Sequence, residues 1–219
     1  MSISCSAYKF SKLGRHPHPI PTEDREYNML GEGGFGRVYD VGNRAVKSQK
    51  VVNEEGERVG EEAMKTCYAG EKGVGPFFYD AFISGEGKDE ELVISMEKLD
   101  VSLAEAFKIK GVDWNSLDNA LTRLIILAEN RKVCHDDIHT NNVMLKFRSG
   151  SDTTFAKAYL VDWGGESSAR KSCKLDTFMW DYLDMEDFKN HLTLTIKTLE
   201  EIKNWRKRKM RNKMRKQQG

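Results

Sequence analysis

Gly31-Glu32-Gly33-Gly34-Phe35-Gly36-Arg37-Val38 sets four glycines within six positions, between two segments patterned as β-strands. Glycine accepts positive φ and lets backbone amides come close to a ligand, so such a loop can cradle phosphates. Its setting narrows the fold. A dinucleotide-binding loop of the doubly wound type runs from a strand into a helix. Here Arg37-Val38-Tyr39-Asp40-Val41 alternates like a half-buried strand, and a tight turn at Gly42-Asn43 leads to a third strand ending near Ser48. The lysine of a Walker A loop is missing as well. Glycine-rich hairpin turns are common in sheets, so the loop alone assigns no function.

The flanking segments extend this pattern. Residues 1–26 hold Pro17, Pro19 and Pro21 and read as an irregular lead-in. The charged, Ala- and Met-containing stretch 54–72 reads as a helix. Phe77–Ser84 and Glu91–Glu97 read as strands around Gly85-Glu86-Gly87-Lys88. Residues 27–97 thus form a small antiparallel sheet with one helix. From 98 to 202 the chain reads as mainly helical. Leu117, Ala120, Leu121, Leu124, Ile125 and Ala128 recur at helical spacing. Val143–Phe147 and Ala156–Val161 suggest a hairpin with a polar tip at 148–152, and Leu192, Ile196, Leu199 and Ile202 a closing helix. The fold class is α+β.

Charge and cysteine usage bound the setting. No apolar run approaches the roughly 18 residues of a membrane span, and the first ten residues lack the apolar core of a secretory signal. Cys5, Cys67, Cys134 and Cys173 are widely spaced with no CxxC pair, which reads as free thiols in a reducing compartment, cytoplasmic or nuclear. The net charge of +1 conceals an asymmetry: residues 203–219 contain nine Lys and Arg and no acid, leaving about −8 on the rest. That basic tail suits nucleic acid, an acidic partner or a nuclear-import receptor. It equally suits a solvated helix end whose cations favour the negative end of the helix dipole.

The chemistry concentrates in His135-Asp136-Asp137-Ile138-His139-Thr140-Asn141-Asn142, just before an apolar run, and in Asp162-Trp163-Gly164 after Ala158-Tyr159-Leu160-Val161. A carboxylate at Asp137 can orient a hydroxyl or take its proton. Asn142, five residues on, and Asp162 offer hard oxygen ligands suited to Mg²⁺. His135 fits a structural role, holding the loop by hydrogen bonds. Lys47 ends Arg44-Ala45-Val46-Lys47, one strand beyond the glycine loop, where its ammonium could reach phosphates if a carboxylate held it. Glu62 is the candidate for that carboxylate, with Glu61 next to it.

In this order and spacing, the segments resemble the protein-kinase-like superfamily over about residues 27–165. The resemblance implies a two-lobed kinase-like fold: a small antiparallel β lobe with one helix, and a reduced, mainly helical second lobe. It further implies that ATP is bound by the loop residues Gly31, Glu32, Gly33, Gly34, Phe35, Gly36 and Val38, with Ala45, Lys47 and Glu62. Ile94-Ser95-Met96-Glu97-Lys98-Leu99 is similar to the family's hinge, which makes Met96 the gatekeeper and puts the backbones of Glu97 and Leu99 against adenine. Asp137, Lys47 and Asn142 match catalytic positions, and Asn142 and Asp162 the Mg²⁺ ligands.

The chain also departs from the family pattern. Asp136 replaces the usual Arg, so activation by loop phosphorylation is not expected. Trp163 stands for Phe. His139 replaces the Lys of Ser/Thr kinases and is similar to aminoglycoside and choline kinases. No Ala-Pro-Glu segment follows Gly164, and Asp181 is a candidate anchor for the catalytic loop. The pared-down form is similar to compact kinases of large DNA viruses and to ancient small kinases with short C-lobes; the first likeness would place the protein inside a host cell. The expectation is a minimal Ser/Thr protein kinase acting on an unidentified protein substrate. A small-molecule kinase and a silent decoy that binds another kinase or its substrate are the alternatives.

Overall fold

The computed structural model describes residues 4–16, 28–33, 36–51, 61–133, 135, 137–164 and 190–217. They form an α+β chain in two compact units, residues 1–99 with 160–166 and residues 100–159 with 167–219. No helix among the described residues is long and apolar enough to cross a membrane.

The first unit rests on a six-stranded sheet. Its strands are β1 (Arg15–His16), β2 (Met29–Gly33), β3 (Gly36–Val41), β4 (Arg44–Lys50), β5 (Phe78–Ser84) and β6 (Glu91–Glu97), ordered β1-β5-β6-β4-β3-β2. Short turns make β2, β3 and β4 consecutive antiparallel neighbours, with Gly42 at φ +70° opening the two-residue loop between β3 and β4. The pairs β4–β6 and β5–β6 are also antiparallel, whereas β1 runs parallel to β5. Two expectations are corrected here. The sheet is mixed, and the lead-in is not wholly irregular: it supplies β1 and two 3-10 turns, Cys5–Tyr8 and Phe10–Lys12. A two-residue strand shows no period, so sequence patterning could not find it.

Helix α1 (Glu62–Glu71) is shorter than the expected 54–72, of which residues 54–60 lie outside the described residues. One core gathers alternate sheet residues (Ala81 and Ile83 of β5, Leu92 and Ile94 of β6) with Ala63 and Cys67 of α1 and Cys5 and Tyr8 of the first turn. Residues directly opposite in an antiparallel pair share a face. Lys47 is opposite Ile94, so β4 presents it on the same face as this core.

A disulfide joins Cys5 to Cys67, with Cα atoms 5.6 Å apart across a sequence separation of 62. The expectation of free thiols is therefore wrong for this pair, and the argument for a reducing compartment loses that support. Wide spacing in sequence says nothing about closure in space. Cys134 and Cys173 lie outside the described residues.

The second unit has a three-stranded sheet, β7 (Val101–Ser102), β8 (Val143–Phe147) and β9 (Phe155–Leu160), in that order, and, among the described residues, three helices. These are α2 (Leu103–Ala106), α3 (Trp114–Arg131) and α4 (Thr193–Gln217). Sequence reading anticipated the β8–β9 hairpin but not β7, which adds a sheet to a unit expected to be mainly helical.

Each of these three helices, unlike α1, starts where a side chain meets its unpaired amides. Ser102 and Glu105 form a capping box on α2, and Asp113 accepts from Ser116 N at 3.2 Å on α3. The carboxylate of Asp118, buried on α3, accepts from Leu194 N (2.9 Å), Thr195 N (2.8 Å) and Thr195 Oγ1 (2.6 Å) at the start of α4. The expected stripe of α3, Leu117 to Ala128, is buried, and Leu192 and Leu199 are buried beside it in the core. Arg206 forms an ion pair with Glu129 of α3. The basic segment is no separate tail: α4 continues through it to Gln217.

Candidate functional site

Lys47 sits in the middle of β4, which is buried from Ala45 through Gln49. Its side chain is 8% exposed, and a buried ammonium needs compensating charge. Two carboxylates supply it: Glu62 Oε1 and Asp162 Oδ1 each stand 2.7 Å from Nζ. Burial alone would pull the Lys47 pKa down, but the charges of Glu62 and Asp162 and their hydrogen bonds outweigh it and hold it above its ordinary value. Lys47 is therefore a fixed cation. Glu62 lies at the first position of α1, where the helix dipole favours an anion. Its Oε2 is buried and has no hydrogen-bond partner among the described residues.

Asp162 reaches Lys47 because the strand exit is pinned. Leu160 N donates to Val74 O (2.7 Å) in the connection between α1 and β5. Asp162 then adopts φ +61°, a left-handed conformation that Asp tolerates better than most side chains. The turn closes through Trp163, whose buried indole Nε1 donates to Leu160 O at 3.1 Å. Phenylalanine at that position would keep the bulk and lose this bond. A Cβ on Gly164 would stand 2.6 Å from Glu62 Oε2, so any larger residue would push that carboxylate from its place beside Lys47.

The glycine segment is the β2–β3 hairpin. Gly31 pairs with Val38, Glu32 with Arg37 and Gly33 with Gly36; Gly34 and Phe35 lie outside the described residues. Glycines here have different reasons. Gly36 has φ +127°, and a Cβ on it would fall 2.2 Å from Ser48 O, so the sheet itself requires glycine. A Cβ on Gly31 would meet nothing within 4 Å, so the fold places no such demand there. At the far end of β4, Ala45 is opposite Met96 of β6, and Met96 packs against the core. Glu97 N donates to Phe77 O (2.7 Å), and Leu99 is buried.

In the second unit, side chains clamp the backbone of Asp137. Its N–H donates to His135 Nδ1 (3.3 Å), and its carbonyl accepts from Asn142 Nδ2 (2.9 Å). His135 and Asn142 are buried, whereas the Asp137 side chain is 56% exposed, so the peptide is held and the carboxylate is presented. The loop is tightened by Asn142 N donating to His139 O (2.9 Å) and tied to α2 by Ala104 N donating to Thr140 O (3.3 Å). His139 Nδ1 accepts from Asn141 N (3.3 Å), which leaves the proton on Nε2, 3.7 Å from Asp137 Oδ2. Cys134, Asp136 and Asp181 lie outside the described residues.

The expected residues therefore fall into two groups. Lys47, Glu62 and Asp162 meet in the first unit, and Asp137, His139 and Asn142 form one loop in the second. Sequence reading missed Val74, which anchors the Asp162 turn through its backbone, and the packing of Gly164 on Glu62. The only sequence signal for the latter was the glycine of Asp-Trp-Gly itself. No protein-family model matches the chain, and no curated protein does either.

Proposed function

We propose that the chain is an ATP- and Mg²⁺-dependent phosphotransferase of the protein-kinase-like type, passing the γ-phosphate to a Ser or Thr hydroxyl of a protein. The observation that carries this reading is the buried Lys47 ammonium held at 2.7 Å by both Glu62 and Asp162, on the strand that follows the glycine hairpin. A purely structural ion pair needs one partner. A second carboxylate, with its side chain 30% exposed, suits a site where phosphates share the cation.

Roles follow from each group's chemistry. Lys47 binds phosphate oxygens, and Glu62 fixes its position. The hairpin amides around Gly31, where the fold leaves open space, lie against the phosphates. Ala45, Val38 and Met96 offer apolar surface to a base, and the Glu97 and Leu99 backbones offer polar atoms. The part-exposed Asp162 carboxylate and the Asn142 carboxamide oxygen are each hard donors of the kind Mg²⁺ takes. The ion, when bound, would offset charge on the phosphates. The exposed carboxylate of Asp137 orients the acceptor hydroxyl and receives its proton.

His139 favours a second reading. With its Nε2 facing the Asp137 carboxylate, the acceptor side carries an imidazole instead of an ammonium, as in kinases of small molecules.

The test is transfer of labelled γ-phosphate from Mg-ATP by the full chain, alone and with cell extract, beside Asp137→Ala and Lys47→Met. Labelled protein bands that vanish in Asp137→Ala, with ATP binding kept there and weakened in Lys47→Met, are the expected result. Label confined to small molecules would select the second reading. ATP binding without any transfer would refute catalysis.

A further inference from the structure

Between Lys203 and Gly219 the sequence holds nine Lys and Arg and no acidic residue, and α4 carries this segment as helix through Gln217. Packing on α3 accounts for the earlier part, where Leu199 is buried and Arg206 pairs with Glu129. Beyond it Lys207, Arg208, Lys209 and Arg211 are exposed.

Two features set this stretch apart from an ordinary solvated helix. The first is like-charge spacing. Lys207 and Arg211 stand four apart and Arg208 and Arg211 three apart, and each such pair works against the helix by a few tenths of a kcal/mol. A solvated helix face normally alternates sign, whereas this one gains stability when a polyanion neutralises it. The second is distribution around the axis. At about 100° per residue, Lys207, Arg208, Lys209 and Arg211 cover an arc of about 200°. The exposed apolar residues make no continuous stripe: Met210 and Met214 stand about 40° apart but span a single turn, and Trp205 is turned about 140° and 180° from them. A membrane-surface helix or a groove-seated amphipathic helix needs that stripe.

A ligand with negative charge on both flanks of a helix is the groove of a nucleic-acid duplex. The B-DNA major groove, about 12 Å wide, admits a helix about 10–12 Å across, whereas the A-form RNA major groove is too narrow. We infer that α4 from Lys207 onward is a docking site for double-stranded DNA, lying in the major groove and held by phosphate contacts. The inference goes beyond phosphotransfer and stands whether or not the chain is a kinase.

The test is fluorescence anisotropy of a labelled 20-base-pair DNA of arbitrary sequence with the full chain, from 50 to 200 mM NaCl. Binding is expected to weaken with salt, with a log–log slope of magnitude about 3.6 or more, as four phosphate contacts require. The quadruple variant Lys207→Gln/Arg208→Gln/Lys209→Gln/Arg211→Gln should lower that slope by about 3–4 while its far-UV circular dichroism is unchanged. If the variant misfolds, hydrogen exchange of the unsubstituted protein decides: amides 207–217 should gain protection when DNA is added. Absence of that protection, an unchanged slope in a folded variant, or no binding at 50 mM salt would overturn the inference. So would equal or tighter binding to duplex RNA, to phosphatidylcholine/phosphatidylserine vesicles or to polyglutamate of matched charge.

Discussion

Removing the Cys5–Cys67 disulfide frees a loop that contains β1 to β4 and the first half of α1, across a sequence separation of 62. For a loop of that length the chain-entropy relation gives about 4 kcal/mol of stabilisation, exerted through the unfolded state. Both cysteines are buried in the core of the first unit, so Ser would add the cost of a buried hydroxyl; Ala is the cleaner replacement. Against a total stability of about 5–15 kcal/mol this is a large share. With a urea slope of about 2 kcal/mol/M, the midpoint of the first unit should fall by about 2 M. The assay is urea unfolding read by hydrogen exchange of β4 and β6 amides, for the oxidised protein, the reduced protein and Cys5→Ala. The last two should coincide. Because α1 carries both Cys67 and Glu62, the proposed function further predicts weaker Mg-ATP binding by both forms. An oxidised protein with the same midpoint as a reduced one, after thiol titration confirms the difference in redox state, would refute the reasoning.

The two glycines of the hairpin should separate cleanly. Gly36→Ala meets a strained φ worth about 1–3 kcal/mol as well as the Ser48 carbonyl, so its melting temperature should drop, whereas Gly31→Ala should melt unchanged and show its defect only in nucleotide titration. Asp118→Ala leaves the Leu194 and Thr195 amides at the start of α4 without their acceptor, while the Thr195 hydroxyl keeps the Asp118 carbonyl, and chemical denaturation of the second unit should show a loss of about 2 kcal/mol. The pKa of Lys47 is raised above its ordinary 10.5, so its ion pairs stabilise fully below that pH and are lost only as pH rises through the higher folded value. Urea midpoints of the first unit should accordingly carry no Lys47 contribution to pH dependence between about pH 7 and 10 and should fall in more alkaline solution.

Periodicity and local chemistry were legible from the chain alone. The α3 stripe, the β8–β9 hairpin, the strands on both sides of the glycine segment and the α+β class follow from spacings of a few residues, because helices and strands repeat over such distances. Asp162-Trp163-Gly164 and the Asp137–Asn142 loop were visible for the same reason: each is a contiguous motif. Tertiary structure decided what contiguous spacing cannot encode. Lys47 reaches Asp162 across 115 residues because Val74 pins the strand exit, and Gly36 is required by a carbonyl on the neighbouring strand. Cys5 meets Cys67 because α1 and the first turn share one core, and α4 begins where Asp118 of another helix accepts its amides. These contacts depend on how distant segments share a surface. A buried charge or an unpaired amide states that it needs a partner, but only the packed chain determines which residue answers.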